Sequence, residues 1–599
     1  MANSALSPTP FFRMLLRILA YGAGTIAFVS VMTLPFARDY VGADNDDAMR
    51  LVEVRDYLAG QGWFDLMQYR LGLPPGVLMH WSRLIDWPIA TLIRSFSLFL
   101  PAQGTEAAAL AVWPLLLTLP VLAALGHAGE RLGGRVASHV MLLMGALYLI
   151  SSNRFLPGAI DHHNVQIGLV AIMAAVLVTR ANWRGFGLAG LAAATALAIG
   201  AETTPLMAVV CAAVALCWAL EGQAFRSRAI AYSLSFSLGV TLFFIGTVPP
   251  ARYGVVTCDN LSFGFYALAT LGGGLLFVAS LLGSALSRLW RFACLLLIAA
   301  ITGVAATLIA PQCLGNPLAE LDPMLVTLWL NKVGEARSVL AVARTEPEAL
   351  GAFYASGLFG LLVCAARLMK RDRVRMHAIM GALLFASFGV ALIQVRGTMF
   401  SNLLTILPLS LLIVDLRAAH RQAPQKIGRA LTYAAAALAA PSAAWAMAGT
   451  LWVNGLPKAS DFGQAKQAVA TGESCFDARA LKPLADLPPT TVVSAADGGS
   501  WILRFTPHRV LAAPYHRNQG GMLTELHIGL STPADAEAFL RGAHAGILAF
   551  CPGNVQTQDL IALKPDGLYA RLAAGEVPPY LTPLPSAGGL KLFAVTGKP

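Results

Sequence analysis

The sequence predicts an α-helical polytopic membrane domain of about thirteen transmembrane helices, followed by a soluble α/β C-terminal domain. Three observations carry that expectation. Of the 599 residues, 56% are hydrophobic and only 13% charged, with a mean hydropathy of +0.63; many membrane spans are the simplest source of such a balance. The apolar residues fall into runs of about twenty, the length that crosses hydrocarbon. From about Asn454 onward Pro, Gly and Thr become common, and short β-type runs alternate with helical stretches, as in a soluble α/β domain.

The expected span cores are 14–35, 105–127, 135–152, 164–180, 184–201, 203–220, 229–248, 263–286, 292–310, 351–369, 376–394, 399–416 and 429–452. Arg13 and Arg17 precede an apolar run to about Pro35 with no clear small-residue cleavage site after it, so this run reads as an uncleaved first span rather than a signal peptide. Lys and Arg gather in alternate short loops: Arg131 and Arg135, Arg180 and Arg184, Arg226 and Arg228, Arg288 and Arg291, Lys370 to Arg375, Arg417 to Arg429. That is the positive-inside pattern, which makes those loops and the N-terminus cytoplasmic. It also accounts for the net charge of +11 without a nucleic-acid partner, since the charges are dispersed between apolar spans. An odd number of spans puts the C-terminus on the opposite side.

The expected domains are therefore 1–453, with long external loops 37–104 and 311–351, and 454–599. Within the first loop, Asp46 to Ala59 alternates at helical period through Met49, Val52 and Leu58 and is expected to lie on the membrane surface. In the C-terminal domain Thr491 to Val493 and Gly546 to Phe550 read as strands and Pro533 to Gly542 as a helix. Cys211, Cys217, Cys294 and Cys364 fall inside apolar spans as packing residues. On an oxidising external side, Cys475–Cys551 and Cys258–Cys313 are candidate disulfides.

Ionisable groups at the borders of the spans carry the chemistry, because such groups are costly there and mark function. Asp44, Asp46 and Asp47 follow the first span; a single Asp there reads as a helix N-cap, the cluster as a metal or substrate site. Asp161-His162-His163 follows the third span. Asp161 and His163, two apart, point to one side of an extended backbone, and a carboxylate with a neutral imidazole suits Mn²⁺, Mg²⁺ or Zn²⁺. Glu335 gains its interest from lying on the same side. Arg396 either snorkels to the interface or pairs with a phosphate. His80 and Arg83, beside Trp81, are further candidates for a phosphate or headgroup, with Trp81 itself open to a plain anchoring role.

These motifs resemble the catalytic subunit of oligosaccharyltransferases, in the GT-C clan of polytopic glycosyltransferases. Asn45-Asp46 with Arg55-Asp56 resembles the family's first-loop Asp motif. Pro74-Pro75-Gly76…His80-Trp81…Asp86 is similar to its P-x-G…HWxP…D stretch, with Arg83 in place of the second Pro. Arg154…Gly158…Asp161-His162-His163 resembles the second acidic motif in its archaeal form, and Glu335 resembles the Glu of the fifth external loop. On the acceptor side the chain departs from the family: Ala495-Ala496-Asp497-Gly498-Gly499 stands where WWDYG is usual, and Lys332 where a small hydroxyl residue is usual. The acceptor is therefore left broad: a protein, a glycolipid or a polysaccharide.

The resemblance implies a polyprenyl-phosphate or pyrophosphate-linked sugar donor and displacement with inversion at the anomeric carbon. It implies a divalent cation, Mn or Mg with Zn as an alternative, held by Asp46, Asp161, His163 and Glu335. Asp46 or Asp47 would position or deprotonate the acceptor, and Arg396, with His80 and Arg83, would face the donor phosphate. Asp497 and Tyr515 to Asn518 would contact the acceptor, His516 reading equally as a surface residue. The expected setting is a bacterial inner membrane with a periplasmic C-terminal domain. A secondary transporter or lipid flippase is the alternative; it would place ionisable groups at the membrane midplane, often in repeated halves, and no repeat is visible.

Overall fold

The protein is described here by a computed structural model that covers residues 10–35, 40, 44–316, 318–455 and 475–596. Its chain divides into two compact units. The first is Met1–Tyr40, Trp81–Pro317 and Gly334–Gly455; the second is Val41–His80, Leu318–Val333 and Leu456–Pro599. Parts of both expected external loops thus group with the C-terminal residues, unlike the division 1–453 and 454–599. The start of the expected C-terminal domain, 456–474, lies outside the described residues.

The first unit is helical, and each expected span core falls on helix. Among the described residues, nine helical stretches are long and apolar enough to cross a membrane, or ten with one bent pair. Gly104–Ser151 covers two expected cores and is divided at Gly133–Gly134. Gly134 takes φ +69 there, a conformation that costs glycine little and other residues more. Two further cores are helices of 17 residues, His163–Thr179 and Trp183–Ile199, at the short end of what can span. The last core is no straight crossing: Ile427–Ala439 and Ser442–Asn454 meet at 86°, at a break containing Pro441, which cannot continue the helix hydrogen bonding.

Small residues set the tightest helix pair. Trp183–Ile199 presents Ala189, Gly190, Ala193 and Ala194 as buried positions, and any Cβ on Gly190 would collide with the Tyr232 carbonyl of helix Arg226–Thr247. Ser235 donates to the Gly187 carbonyl across this seam at 2.8 Å. Close backbone approach with a hydroxyl bridge is how helices associate without a hydrophobic drive between them. By contrast Arg288–Ile309 buries no residue, as suits a lipid-facing helix.

The second unit is built on a five-stranded sheet in the order Arg509–Val510, Thr491–Val493, Ala545–Phe550, Lys591–Val595, Leu581–Leu584. The first three strands run parallel and the last two pair antiparallel. Leu548, Phe550, Leu526 and Leu540 share its apolar core with Leu321 and Leu325 of the 318–333 segment. Lys332 forms an ion pair with Asp559, and Asp322 N–H donates to Gln519 Oε1 at 3.2 Å.

The helix Asn45–Leu58 corrects an expectation. Rather than presenting an apolar face to a membrane surface, it buries eight consecutive residues, Asp47 to Val54. It is held by C-terminal residues: Arg55 donates to the Arg504 carbonyl and Tyr515 OH to the Asn45 carbonyl at 2.9 Å. Arg70, further along, donates to the carbonyls of Leu503, Thr506 and His508. Periodicity identifies a face that is buried but not what buries it. Both candidate disulfides are formed, Cys258–Cys313 in the first unit and Cys475–Cys551 in the second, with Cα separations of 5.2 and 6.0 Å.

Candidate active site

The Asp161-His162-His163 cluster is set by a turn and a helix start. Pro157-Gly158, with Gly158 at φ +95, turns the chain back, and Gly158 N–H donates to the Leu110 carbonyl at 2.9 Å. Asn164 Nδ2 donates to the Ala159 carbonyl at 2.9 Å. Helix His163–Thr179 begins directly after the turn, so the Asp161 carboxylate sits at its positive end.

All three side chains are buried. His162 Nδ1 lies 2.6 Å from Asp161 Oδ1, and His163 Nδ1 lies 3.0 Å from Asp161 Oδ2. One carboxylate therefore serves two imidazoles. Burial works against its charge, but the two imidazoles prevail and hold Asp161 well below the usual carboxylate range. Burial likewise opposes charge on His162, and Asp161 and Glu202 outweigh it, pushing the imidazole up to about 10.

Glu335 belongs to the same neighbourhood. It forms an ion pair with Arg154, and its Oε2 is 3.8 Å from His163 Nε2. Its carbonyl accepts from Arg396 N–H at 3.2 Å, while the Arg337 carbonyl accepts from Val395 N–H at 2.9 Å. The first unit thus joins Arg154, Asp161, His163, Glu335 and the backbone of Arg396. Two members escaped the sequence reading. His162 sits in sequence between the two expected ligands Asp161 and His163, and Glu202 lies 3.5 Å from His162 Nε2. The available signal for Glu202 was its position between two apolar runs, on the external side by the positive-inside count.

The donor set fits a divalent cation. Ligand atoms of Asp161, His162 and His163 lie within 4.8 Å of one another. His163 Nε2 is buried and makes no hydrogen bond, an orphaned ring nitrogen facing a carboxylate. Carboxylate with imidazole suits Mn²⁺ or Zn²⁺.

The other expected residues divide between the units. Asp46 and Asp47 lie in the second, in the first turn of helix Asn45–Leu58, with Asp44 capping Asp47 N–H at 3.1 Å. The buried Tyr515 phenol, 3.1 Å from Ser500 Oγ, is pushed well above its ordinary range, by burial first and then by the Asp46 carboxylate. It therefore stays a neutral donor to the Asn45 carbonyl. His80 is also in the second unit, its ring 4.9 Å from that of His516. Arg83 is in the first, buried and paired with Asp86 at 2.9 Å. Along Val492 to Ser500 only Asp497 is exposed. A side chain on Gly498 would strike Phe476, and one on Gly499 the Ala512 carbonyl. The bulkier family residue at Gly498 therefore has no room here.

A buried carboxyl in the second unit has a measurable consequence. Glu525 accepts from Tyr569 OH at 2.9 Å and Gln556 Nε2 at 2.8 Å, and burial pushes it up to about 8. The folded chain then keeps a proton that the unfolded chain releases near pH 4. The stability this contributes is full below about pH 4 and is lost as pH rises toward 8. Glu525→Gln should flatten the fall in thermal midpoint between about pH 5 and 8; an unchanged slope would contradict the assignment.

No protein-family model matches the chain, and no curated protein matches it in sequence. Solved structures do. The oligosaccharyltransferase AglB of Archaeoglobus fulgidus, in complex with an inhibitory peptide and a dolichol-phosphate, superposes with a TM-score of 0.63 at 14% identity, over 97% of this chain and 74% of that one. The A. fulgidus enzyme tethered to an acceptor peptide with an NVT sequon gives 0.61 at 15% identity, with the same coverage. Its complex with Zn and sulfate gives 0.56 at 15%, over 96% of this chain and 73% of that one. The resemblance first read from a few acidic motifs therefore extends to the whole architecture: the chain has the oligosaccharyltransferase fold.

Proposed function

We propose that this protein is a membrane glycosyltransferase that moves a sugar or oligosaccharide from a polyprenyl-phosphate or pyrophosphate carrier to an acceptor on the external face. The observation that carries the reading is the buried Asp161-His162-His163 cluster joined to Glu335 at the starts of helices. The shared fold supports it, as do a dolichol-phosphate, an acceptor peptide and Zn in the A. fulgidus structures. A transporter would instead need its ionisable groups deep in broken spans.

Asp161, His163 and Glu335 would hold a divalent cation, Mn or Mg with Zn as an alternative. Bound there, the cation would neutralise charge developing on the leaving phosphate. Arg154, paired with Glu335, would keep that carboxylate oriented. Asp46 or Asp47 would take the acceptor proton as the acceptor atom bonds to the anomeric carbon. The bond from that carbon to the phosphate oxygen breaks, its electron pair leaves with the phosphate, and the configuration inverts. Arg396 would meet the phosphate charge. His80 and Arg83 are further donor-side candidates, Arg83 only by exchanging Asp86 for phosphate. Asp497, as the exposed member of its stretch, would face the acceptor. Two disulfides and the positive-inside loops support a bacterial inner membrane with the C-terminal residues in the periplasm.

Arg396→Ala is expected to raise KM for a polyprenyl-linked donor by about tenfold or more, the worth of one charge-assisted hydrogen bond to phosphate. Steady-state transfer kinetics check this; an unchanged KM with normal kcat would remove Arg396 from the donor site.

A further inference from the structure

Glu202 has no part in the mechanism above, yet its surroundings are specific. It lies in the turn Ala201–Thr203, between helices Trp183–Ile199 and Thr204–Glu221. Its Oε2 accepts from Gln166 Nε2 at 3.1 Å and is 3.5 Å from His162 Nε2. The other ring nitrogen of His162 meets Asp161 Oδ1 at 2.6 Å. The imidazole is therefore hydrogen-bonded at Nδ1 and approached by the Glu202 carboxylate at Nε2, between carboxylates from two different helix ends. Gly200 closes the group from behind: a Cβ there would run into the Glu202 carboxylate and stand 3.0 Å from Gln166 Nε2 and 3.2 Å from His162 Nε2.

We infer that Glu202 is a positioning residue that acts through His162 on the Asp161 carboxylate. With its ring fixed, His162 occupies Oδ1 of Asp161 and leaves Oδ2 toward His163, the pair proposed to hold the cation. The inference rests on that metal-assisted reading. A carboxylate behind an imidazole restricts the orientation of the ligand in front of it, and loss of such outer partners costs metal affinity.

The test is calorimetric titration of the detergent-purified full chain with Mn²⁺ alone, with a thermal midpoint for each variant. Glu202→Gln should weaken Mn²⁺ binding by about 10- to 100-fold while the midpoint stays near that of the wild type. Gln166→Met, which removes the other donor on Glu202, should weaken it in the same direction and carries the test if Glu202→Gln does not fold. Glu221→Gln, at the far end of the same helix and paired with Arg180, should leave binding unchanged. Wild-type affinity in both Glu202→Gln and Gln166→Met overturns the positioning role and leaves the metal site standing. Equal weakening in Glu221→Gln marks a general structural effect and also overturns it. No Mn²⁺ binding by the wild type overturns the metal reading and this inference together.

Discussion

Asp161→Asn should lower glycosyl transfer by about a thousandfold or more, with the protein still folded and inserted. The shape of the side chain is kept and only the charge is lost. In the wild type this carboxylate meets His162 at 2.6 Å and His163 at 3.0 Å, and all three are buried. Stabilisation of leaving-group charge by a held cation is worth several kcal/mol, and about 4 kcal/mol corresponds to a factor near a thousand. The loss should appear in kcat rather than KM, because the charge it answers develops only in the transition state. Transfer within tenfold of wild type would remove Asp161 from the reaction.

The second large effect is on stability. Cys475–Cys551 closes a loop of 76 residues in the second unit, and a loop of that length corresponds to about 4 kcal/mol in the chain-entropy account. Cys475→Ser, Cys551→Ser and the double variant should therefore lose similar amounts, since each removes the same bond. Cys258–Cys313, in the other unit, should act independently. Denaturant midpoints with and without reductant measure both. Additive losses for Cys475 and Cys551, or none, would contradict a bond between them.

Much of the fold is written in local patterns. The Lys and Arg alternation and the apolar runs locate the long apolar helices of the first unit because the bilayer imposes a length on each, whereas Arg83–Phe96 and Val339–Thr345 lie in the expected external loops. The strands Thr491–Val493 and Ala545–Phe550 are apolar runs bounded by turn residues, readable for the same kind of reason. What local patterns do not hold is partnership. The periodic face of Asn45–Leu58 is real, but its partner is the C-terminal chain, more than 400 positions away at Arg504 and Tyr515. The candidate site divides the same way. Asp161 and His163 stand out as adjacent ligand types, and Glu335 by its place in an external loop. Glu202 is an ordinary turn residue until folding brings it to His162. Arg83 reads as a free cation in sequence and is buried against Asp86 three residues on, a helical neighbour that one turn supplies.

The most direct test supplies purified protein and Mn²⁺ with a polyprenyl-phosphate or polyprenyl-pyrophosphate carrying a labelled sugar, and follows the label off the lipid. Membrane extract serves as the source of acceptors, and the Asp161→Asn variant is the control. Cation-dependent loss of label from the carrier, absent in the variant, is the expected result. Label that stays on its lipid under all conditions, while the protein moves that lipid between the leaflets of a liposome, would contradict glycosyl transfer and make this chain a flippase.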